Sequence, residues 1–250
     1  MASTVGLAGA AAVVFILTLN LAAVGAGERS AQLPSLPAGT AAAPPPAPLS
    51  DVADAALAGV VTVEVATARG ERFGTGWLLD AGGDIVTNDH VVERELALRI
   101  VDRLGGVHVG VLVGFDVLQD VAVIRVRDHI GAGSLPVDLA PGAIGARVAV
   151  LASMRATDHG DITVETIARL HESIRVNPQP GEPGASEIQY EDMTVLTGAP
   201  VFQGNSGGPV IDGRGEVVGI VTATSATLSE AYAIPIGRVI AELRAFATRG

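Results

Sequence analysis

The sequence contains no cysteine among its 250 residues. This absence excludes disulfide bonds, thiolate nucleophiles and cysteine-ligated zinc, so covalent chemistry falls to oxygen or nitrogen atoms. Aromatic residues make up only 3% of the chain, and we therefore expect a core of Val, Ile, Leu and Ala. Positive charge is also scarce: the formal net charge of −11 excludes the basic surface that nucleic-acid binding needs. The length allows one large domain or two small ones.

The amino-terminal segment is uncharged and apolar from residue 5 to residue 27, apart from Thr18 and Asn20. A helix of about 20 apolar residues crosses the hydrocarbon layer of a membrane, so residues 1–27 are predicted to be a transmembrane signal-anchor. A cleavable signal peptide is the alternative, because small residues precede Glu28. We therefore predict a single-pass protein of the cell membrane. The chain after this segment would lie outside the cytoplasm, in the periplasm or at the cell exterior. Cleavage would instead give a secreted protein.

The next segment, residues 28–50, is a linker rich in Pro and Ala, most of all at 41–48. Such a composition favours an extended, semi-rigid tether. Residues 51–250 are therefore expected to hold the folded domain. Ser50 is predicted to cap a short helix that runs to Leu57.

Beyond this helix, apolar and polar residues alternate with the period of β-strands. The alternation is clear at 61–66 and 96–100, and short runs recur at 72–79, 107–113, 120–126, 147–153, 161–170, 216–222 and 230–234. Many short strands predict an all-β fold of barrels or a sandwich. One helix is predicted after Pro235, because apolar residues share one of its faces: Ile236, Val239, Ile240, Leu243 and Phe246.

The candidate nucleophile is Ser206, in the run Gly-Asn-Ser-Gly-Gly-Pro at 204–209. Small neighbours leave its hydroxyl accessible and its backbone N–H groups free to bind an oxyanion, although a glycine-rich turn has the same composition. The run also matches the nucleophile elbow of α/β-hydrolases. That elbow needs a helix directly after the serine and a later histidine. Here strand, turn and strand follow Pro209, and all five histidines precede Ser206.

The base must come from those five histidines. His90 is favoured because it follows the strand end at 85–87 in one tight turn, 88–92, where a side chain can be aimed for proton transfer. The other four are expected to be surface or strand residues: His108, His129, His159 and His171.

A carboxylate should orient the imidazole of this base. Asp120 opens the apolar run 121–126, where a buried acid needs a partner. Asp116 and Asp89 are the alternatives, and turn chemistry is the favoured interpretation of both.

Five segments together resemble the HtrA (DegP-like) trypsin-like serine proteases, in the correct order: 74–79, 85–92, 119–123, 204–209 and 232–236. The resemblance implies a chymotrypsin-like double six-stranded β-barrel with a C-terminal helix and with the active site between the barrels. It implies no metal and no organic cofactor. Typical members continue into PDZ domains, which this sequence is expected to lack.

The resemblance also assigns roles to residues. Ser206 would attack a peptide carbonyl, His90 would accept and return its proton, and Asp120 would orient His90. The N–H groups of Gly204 and Ser206 would form the oxyanion hole. Asn205 is neutral where digestive relatives carry an aspartate, so activation by a newly cut amino terminus is not expected.

The substrate-binding pocket would be small and apolar, which predicts cleavage after small aliphatic residues. The residues expected to bind substrate are Pro200, Val201, Ile220, Val221 and Thr222. In the family, loops near the oxyanion hole regulate activity. The loop at 177–187 is interpreted either as such a regulatory loop or as a tolerated insertion. A homotrimer is an expectation by resemblance, although residues 28–72 hold no aromatic residue.

The sequence therefore favours a membrane-tethered serine endopeptidase that acts on unfolded or exported polypeptides in protein quality control. Two alternatives stay open at this point: a dedicated processing or signalling protease, and a non-catalytic module that holds peptides in its cleft.

Overall fold

The structure is a computed structural model that describes residues 46–128, 130–140, 142–153, 155, 161–176, 188–198, 204–225 and 229–249. The predicted anchor, most of the linker and the loop 177–187 lie outside the described residues, as do His129, His159, Pro200 and Val201. No helix in the described ranges is long and apolar enough to cross a membrane.

The described chain begins with helix α1 (Leu49–Ala56), which a 3-10 turn continues through Leu57–Gly59. The prediction that Ser50 caps this helix is wrong. Pro48 is the N-cap residue, no side chain caps the helix, and Ser50 Oγ instead donates a hydrogen bond to Asp51. The helix starts at Leu49, so Ser50 lies within its first turn and not at its N-cap.

The first barrel is a closed, antiparallel sheet with the strand order β1-β2-β3-β6-β5-β4. Its strands are β1 (Val60–Thr67), β2 (Gly70–Leu78), β3 (Asp84–Thr87), β4 (Ala97–Val101), β5 (Val107–Asp116) and β6 (Val121–Val126). A short helix, α2 (Asp89–Val92), follows β3. The predicted alternation is confirmed where Val61, Val63 and Val65 point into the barrel core.

The second barrel is also closed, with the order β10-β11-β12-β9-β8-β7. Its strands are β7 (Arg147–Leu151), β8 (Ile162–Val176), β9 (Ile188–Thr197), β10 (Pro209–Ile211), β11 (Val217–Ser225) and β12 (Glu230–Pro235). The prediction of an all-β double barrel is therefore confirmed.

Helix α3 (Ile236–Ala247) follows the last strand of the second barrel and packs back against β5 and β6 of the first. Its predicted apolar face is confirmed, because all five of its residues are buried. Phe246 lies over Gly114, where an added Cβ would come within 2.3 Å of the ring. The helix thus connects the two barrels, and glycine is needed at position 114.

The apolar interior consists of one core inside each barrel and a third core that both barrels share with α3. The shared core includes Trp77 from the first barrel, Ile220 from the second and Leu243 from the helix. Aliphatic residues dominate all three cores, as the low aromatic content predicts. Burial of this common surface holds the barrels together, so loops from both meet at one junction.

Candidate active site

Strand pairing brings His90 and Asp120 together. β3 and β6 are antiparallel neighbours, with Thr87 opposite Ala122. His90 follows β3 within α2, and Asp120 immediately precedes β6, so both lie at the same end of the strand pair. The side-chain Nδ2 of Asn88 donates to the carbonyl oxygen of Asp120 at 2.8 Å and ties the two loops together.

The His90 imidazole is bonded to the Asp120 carboxylate. Nδ1 lies 2.8 Å from Oδ2 and 3.0 Å from Oδ1, and the backbone N–H of His90 donates to Oδ1 at 3.0 Å. A carboxylate only accepts hydrogen bonds, so Nδ1 carries the proton and Nε2 presents a lone pair in the neutral ring. The His90 side chain is 38% exposed and that of Asp120 only 3%, so the base faces the surface and the acid lies behind it.

Asp120 has a backbone conformation that few residue types adopt. Its φ is +53°, in the left-handed region, which Asp and Asn tolerate better than most residues. This conformation turns the carboxylate toward the second barrel, where Oδ2 accepts hydrogen bonds from the hydroxyls of Tyr190 (3.3 Å) and Thr222.

Ser206 reaches the same group of residues through Thr222. Its hydroxyl donates to the Thr222 carbonyl oxygen at 3.5 Å, while the Thr222 hydroxyl donates to Asp120. Gly207 lies against the first barrel, since an added Cβ would come within 3.2 Å of the backbone nitrogen of Asn88. Among the described residues no hydrogen bond joins Ser206 to His90, and such contacts often tighten only when substrate binds.

The backbone on either side of Ser206 contributes four N–H groups that differ in their hydrogen bonding. Gly204 has a φ of +100°, which favours glycine. The N–H groups of Gly207 and Gly208 are used internally, by the carbonyls of Val221 and Asn205. The N–H groups of Gly204 and Ser206 donate no hydrogen bond to any other described residue. These two donors are the pair named from the sequence, and their role as an oxyanion hole stays a prediction.

The site's electrostatics favour a protonatable base. Burial lowers the pKa of His90, but the charge and hydrogen bond of Asp120 outweigh this effect and raise it above its ordinary 6.5. Asp89 is buried next to His90, and burial, followed by the charge of Asp120, raises its pKa from 3.8 to about 6. The pKa values of two adjacent groups are thus both raised above their ordinary values.

Of the alternatives considered from the sequence, Asp89 lies beside His90, and the others that the structure describes lie elsewhere. Asp116 Oδ1 accepts the N–H groups of Leu118 and Gln119, which is the turn chemistry predicted for it. His108 is a buried strand residue that pairs with Asp102 at 3.2 Å. His171 lies exposed in β8, where it pairs with Asp192.

The predicted pocket residues are only partly described. The Ile220 side chain lies in the core shared by the barrels and that of Val221 in the second barrel's core. Thr222 instead lies between Asp120 and Ser206. Substrate contact by these residues stays a prediction.

Two residues at the site escaped sequence reasoning. Tyr190 and Thr75 reach it from strands that carry no catalytic residue, across 70 and 129 positions of sequence. Thr75 lies in segment 74–79 and Asn88 in segment 85–92, both of which carried the family resemblance, whereas none of the five segments includes Tyr190.

The described residues hold one cluster of carboxylates within metal-binding distance of one another: Asp138, Asp212 and Glu216. The guanidinium of Arg214 pairs with all three, with contacts of 2.9 Å to Asp212 and 2.7 Å to Glu216. The Arg214 guanidinium therefore offsets part of the negative charge of the cluster. A cavity of about 280 Å³ lies away from His90 and Ser206, between Val60, Val101 and Arg155.

Two six-stranded barrels that bring a histidine–aspartate pair and a glycine-flanked serine to one junction have the architecture of trypsin-like serine peptidases. The chain belongs to this family: the model of the trypsin-like peptidase domain matches residues 74–220.

Similar proteins agree with this assignment. The putative serine protease HhoB of Synechocystis is 32% identical over 179 residues, which are 67% of this chain and 38% of that protein. A probable periplasmic DegP-like serine endoprotease of Buchnera aphidicola is 29% identical over 175 residues, 67% of this chain and 35% of that protein. The Rv3671c protease of M. tuberculosis, in its active form, superposes with a TM-score of 0.64 at 26% identity, over 80% of this chain and 86% of that one. The resemblance to HtrA (DegP-like) proteases is confirmed. The matched residues span well under half the length of HhoB and of the Buchnera protein.

Proposed function

We propose that the chain is a serine endopeptidase that hydrolyses polypeptides with His90, Asp120 and Ser206. The observation that carries this proposal is the 2.8 Å contact between His90 Nδ1 and Asp120 Oδ2, which leaves Nε2 as a base on the cleft side. Thr222 links this pair to Ser206. The similarity to putative and probable serine proteases supports the same activity.

In the proposed reaction, Ser206 Oγ leaves its contact with the Thr222 carbonyl and attacks the scissile carbonyl carbon. His90 Nε2 takes the hydroxyl proton, and Asp120 stabilises the imidazolium that forms. The N–H groups of Gly204 and Ser206 donate to the oxyanion of the tetrahedral intermediate. His90 then protonates the leaving amine, and water hydrolyses the acyl-enzyme by the same proton transfers.

The test is covalent labelling with a fluorophosphonate, which reacts with activated serines. The adduct should map to Ser206 by mass spectrometry, and Ser206→Ala should abolish labelling and lower kcat on casein by about 10⁶. Ser50→Ala is the matched control, because Ser50 is an exposed serine on α1. Labelling that survives Ser206→Ala would remove the proposed nucleophile.

The cellular setting belongs to the same proposal. The uncharged segment at 5–27 and the Pro/Ala-rich linker suit a protease tethered to the outer face of a cell membrane, where it would act on unfolded or exported polypeptides. Amino-terminal sequencing of membrane and soluble fractions tests this setting. An intact terminus in the membrane fraction supports a tether, and a terminus near Glu28 in the soluble fraction shows a cleaved signal.

A further inference from the structure

We infer that Tyr190 is a positioning residue for the His90–Asp120 pair: its hydroxyl reaches from the second barrel and limits how strongly Asp120 holds the imidazole. The inference rests on the proposed function, because it concerns the same pair of residues. It adds a group that neither the sequence motifs nor the fold assigns.

The position of Tyr190 supports this role. The residue lies on β9, only 5% exposed, and its hydroxyl donates to Asp120 Oδ2 at 3.3 Å. His90 Nδ1 and the Thr222 hydroxyl donate to the same oxygen atom. Burial, followed by the charge of Asp120, raises the pKa of Tyr190, so its phenol stays protonated and remains a donor.

A second set of contacts holds the same two segments together. Arg238 on α3 donates from Nε to the side-chain oxygen of Gln119 at 2.9 Å and from Nη1 to the carbonyl oxygen of Glu191. Gln119 and Glu191 are the chain neighbours of Asp120 and Tyr190. Arg238 on α3 thus links the segment that carries Asp120 to the segment that carries Tyr190. A shift of either segment away from the other would break one of these two hydrogen bonds.

The consequence follows from competition at one oxygen atom. A donated hydrogen bond draws negative charge from the carboxylate and so weakens its attraction for a protonated imidazole. Removing the Tyr190 hydroxyl should raise the pKa of His90 and leave Asp120 freer to rotate away from the ring. Asp89 and Arg72, the other charges that act on His90, stay unchanged.

The chain provides a matched control, because it contains only two tyrosines. The Tyr232 hydroxyl donates to Glu230 Oε2 at 2.9 Å, also a tyrosine–carboxylate bond on the second barrel. Tyr190→Phe and Tyr232→Phe therefore delete the same chemical group with the same loss of atoms. Only the first deletion touches Asp120.

The deciding measurement is an NMR titration of the His90 ring in the full chain. We expect a higher His90 pKa in Tyr190→Phe than in wild type, with Tyr232→Phe unchanged. On a peptide substrate, Tyr190→Phe should lower kcat by roughly tenfold and leave KM within about twofold, because Tyr190 touches no substrate. An equal His90 pKa in both variants would overturn the inference.

A second variant tests the opposite direction and avoids any loss of packing. Growth on 3-fluorotyrosine in the Tyr232→Phe background fluorinates Tyr190 alone and makes its hydroxyl a stronger donor. The pKa of His90 should then fall below that of the same variant with ordinary tyrosine, a change that a purely structural role would not produce. A rise, or no change, would overturn the inference. These titrations need no catalytic turnover, so they decide the inference about Tyr190 even if the wild-type chain hydrolyses no substrate. A lack of hydrolysis would count against the proposed function alone.

Discussion

The side-chain hydroxyl of Thr75 donates a hydrogen bond to the carbonyl oxygen of Gly204 at 2.7 Å, from the first barrel to the second. The same Thr75 oxygen accepts the N–H of Ser153 at 3.0 Å, and the Thr75 N–H donates to the carbonyl oxygen of Ser206, also at 3.0 Å. Thr75 is fully buried. Thr75 therefore holds the carbonyl groups of both chain neighbours of Asn205, Gly204 and Ser206, which also carry the predicted oxyanion donors.

Thr75→Val should impair both stability and catalysis. Valine keeps the shape of threonine but leaves the Gly204 carbonyl and the Ser153 N–H without their buried partner, at a cost of about 2–5 kcal/mol. We also expect kcat to fall roughly 10- to 100-fold, because the oxyanion donors lose their support. Thr75→Ser keeps the hydroxyl and should stay close to wild type. Urea denaturation and steady-state kinetics measure the two effects, and equal behaviour of both variants would contradict the assigned role.

Asp89→Asn should extend activity to lower pH. The proposed base must be neutral to accept the Ser206 proton, and the negative charge of Asp89 contributes to the raised pKa of His90. Removing that charge lowers the pKa of His90, so the acid limb of the kcat/KM profile should move down in pH. Glu71→Gln, an exposed neutralisation on β2, is the control and should leave the profile unchanged. An acid limb that does not move in Asp89→Asn would show that the two groups are not coupled.

The same substitution should stabilise the protein, and more so at higher pH. The folded-state pKa of Asp89, about 6, lies above its ordinary 3.8, so the folded chain holds this proton more tightly than the unfolded chain does. The wild type therefore loses stability as pH rises from about 4 to 7, by about 2–3 kcal/mol from this group. Asparagine has no such loss. Urea denaturation at pH 4.5 and 7.5 should show a gain for Asp89→Asn that is larger at pH 7.5.

Gly207→Ala should destabilise the fold strongly. Gly207 has a φ of +85°, and an added Cβ would lie 2.2 Å from the Thr75 carbonyl oxygen and 2.3 Å from Thr87 Oγ1. Both atoms belong to the first barrel, so relief of the clash must separate the barrels next to Ser206. We expect a loss of more than about 3 kcal/mol in the free energy of unfolding. At Gly213 an added Cβ meets nothing within 4 Å, so Gly213→Ala is the control and should stay within about 1 kcal/mol of wild type.

Substrate preference can be tested with fluorogenic peptides that differ only at the residue before the cleaved bond. By the family resemblance, Pro200 stands where a trypsin-like pocket carries an acid, and Val201 and Ile220, which are also predicted to bind substrate, are apolar. Val, Ala and Ile peptides should therefore exceed Lys and Arg peptides in kcat/KM by roughly tenfold or more. Equal or faster cleavage after Lys or Arg would contradict the predicted apolar pocket.

Much of the fold could be predicted because its signals are local. Period-two alternation located most strands of both barrels but not β9 (Ile188–Thr197), and the spacing of Ile236, Val239 and Leu243 located the buried face of α3. The Ser50 cap was wrong because the helix begins at Leu49, which places Ser50 inside the first turn.

The sequence by itself determined the candidate residues His90, Asp120 and Ser206, because their chemistry and order restrict the reactions open to them. Only the tertiary structure decided which groups surround them. Tyr190 and Thr75 meet the site through hydrogen bonds across 70 and 129 residues, and no local pattern predicts contacts over such separations. The physical reason is that the barrels are held together by burial of a shared apolar core, which is non-directional. The partners that individual polar groups find at the barrel junction therefore depend on how the whole chain packs.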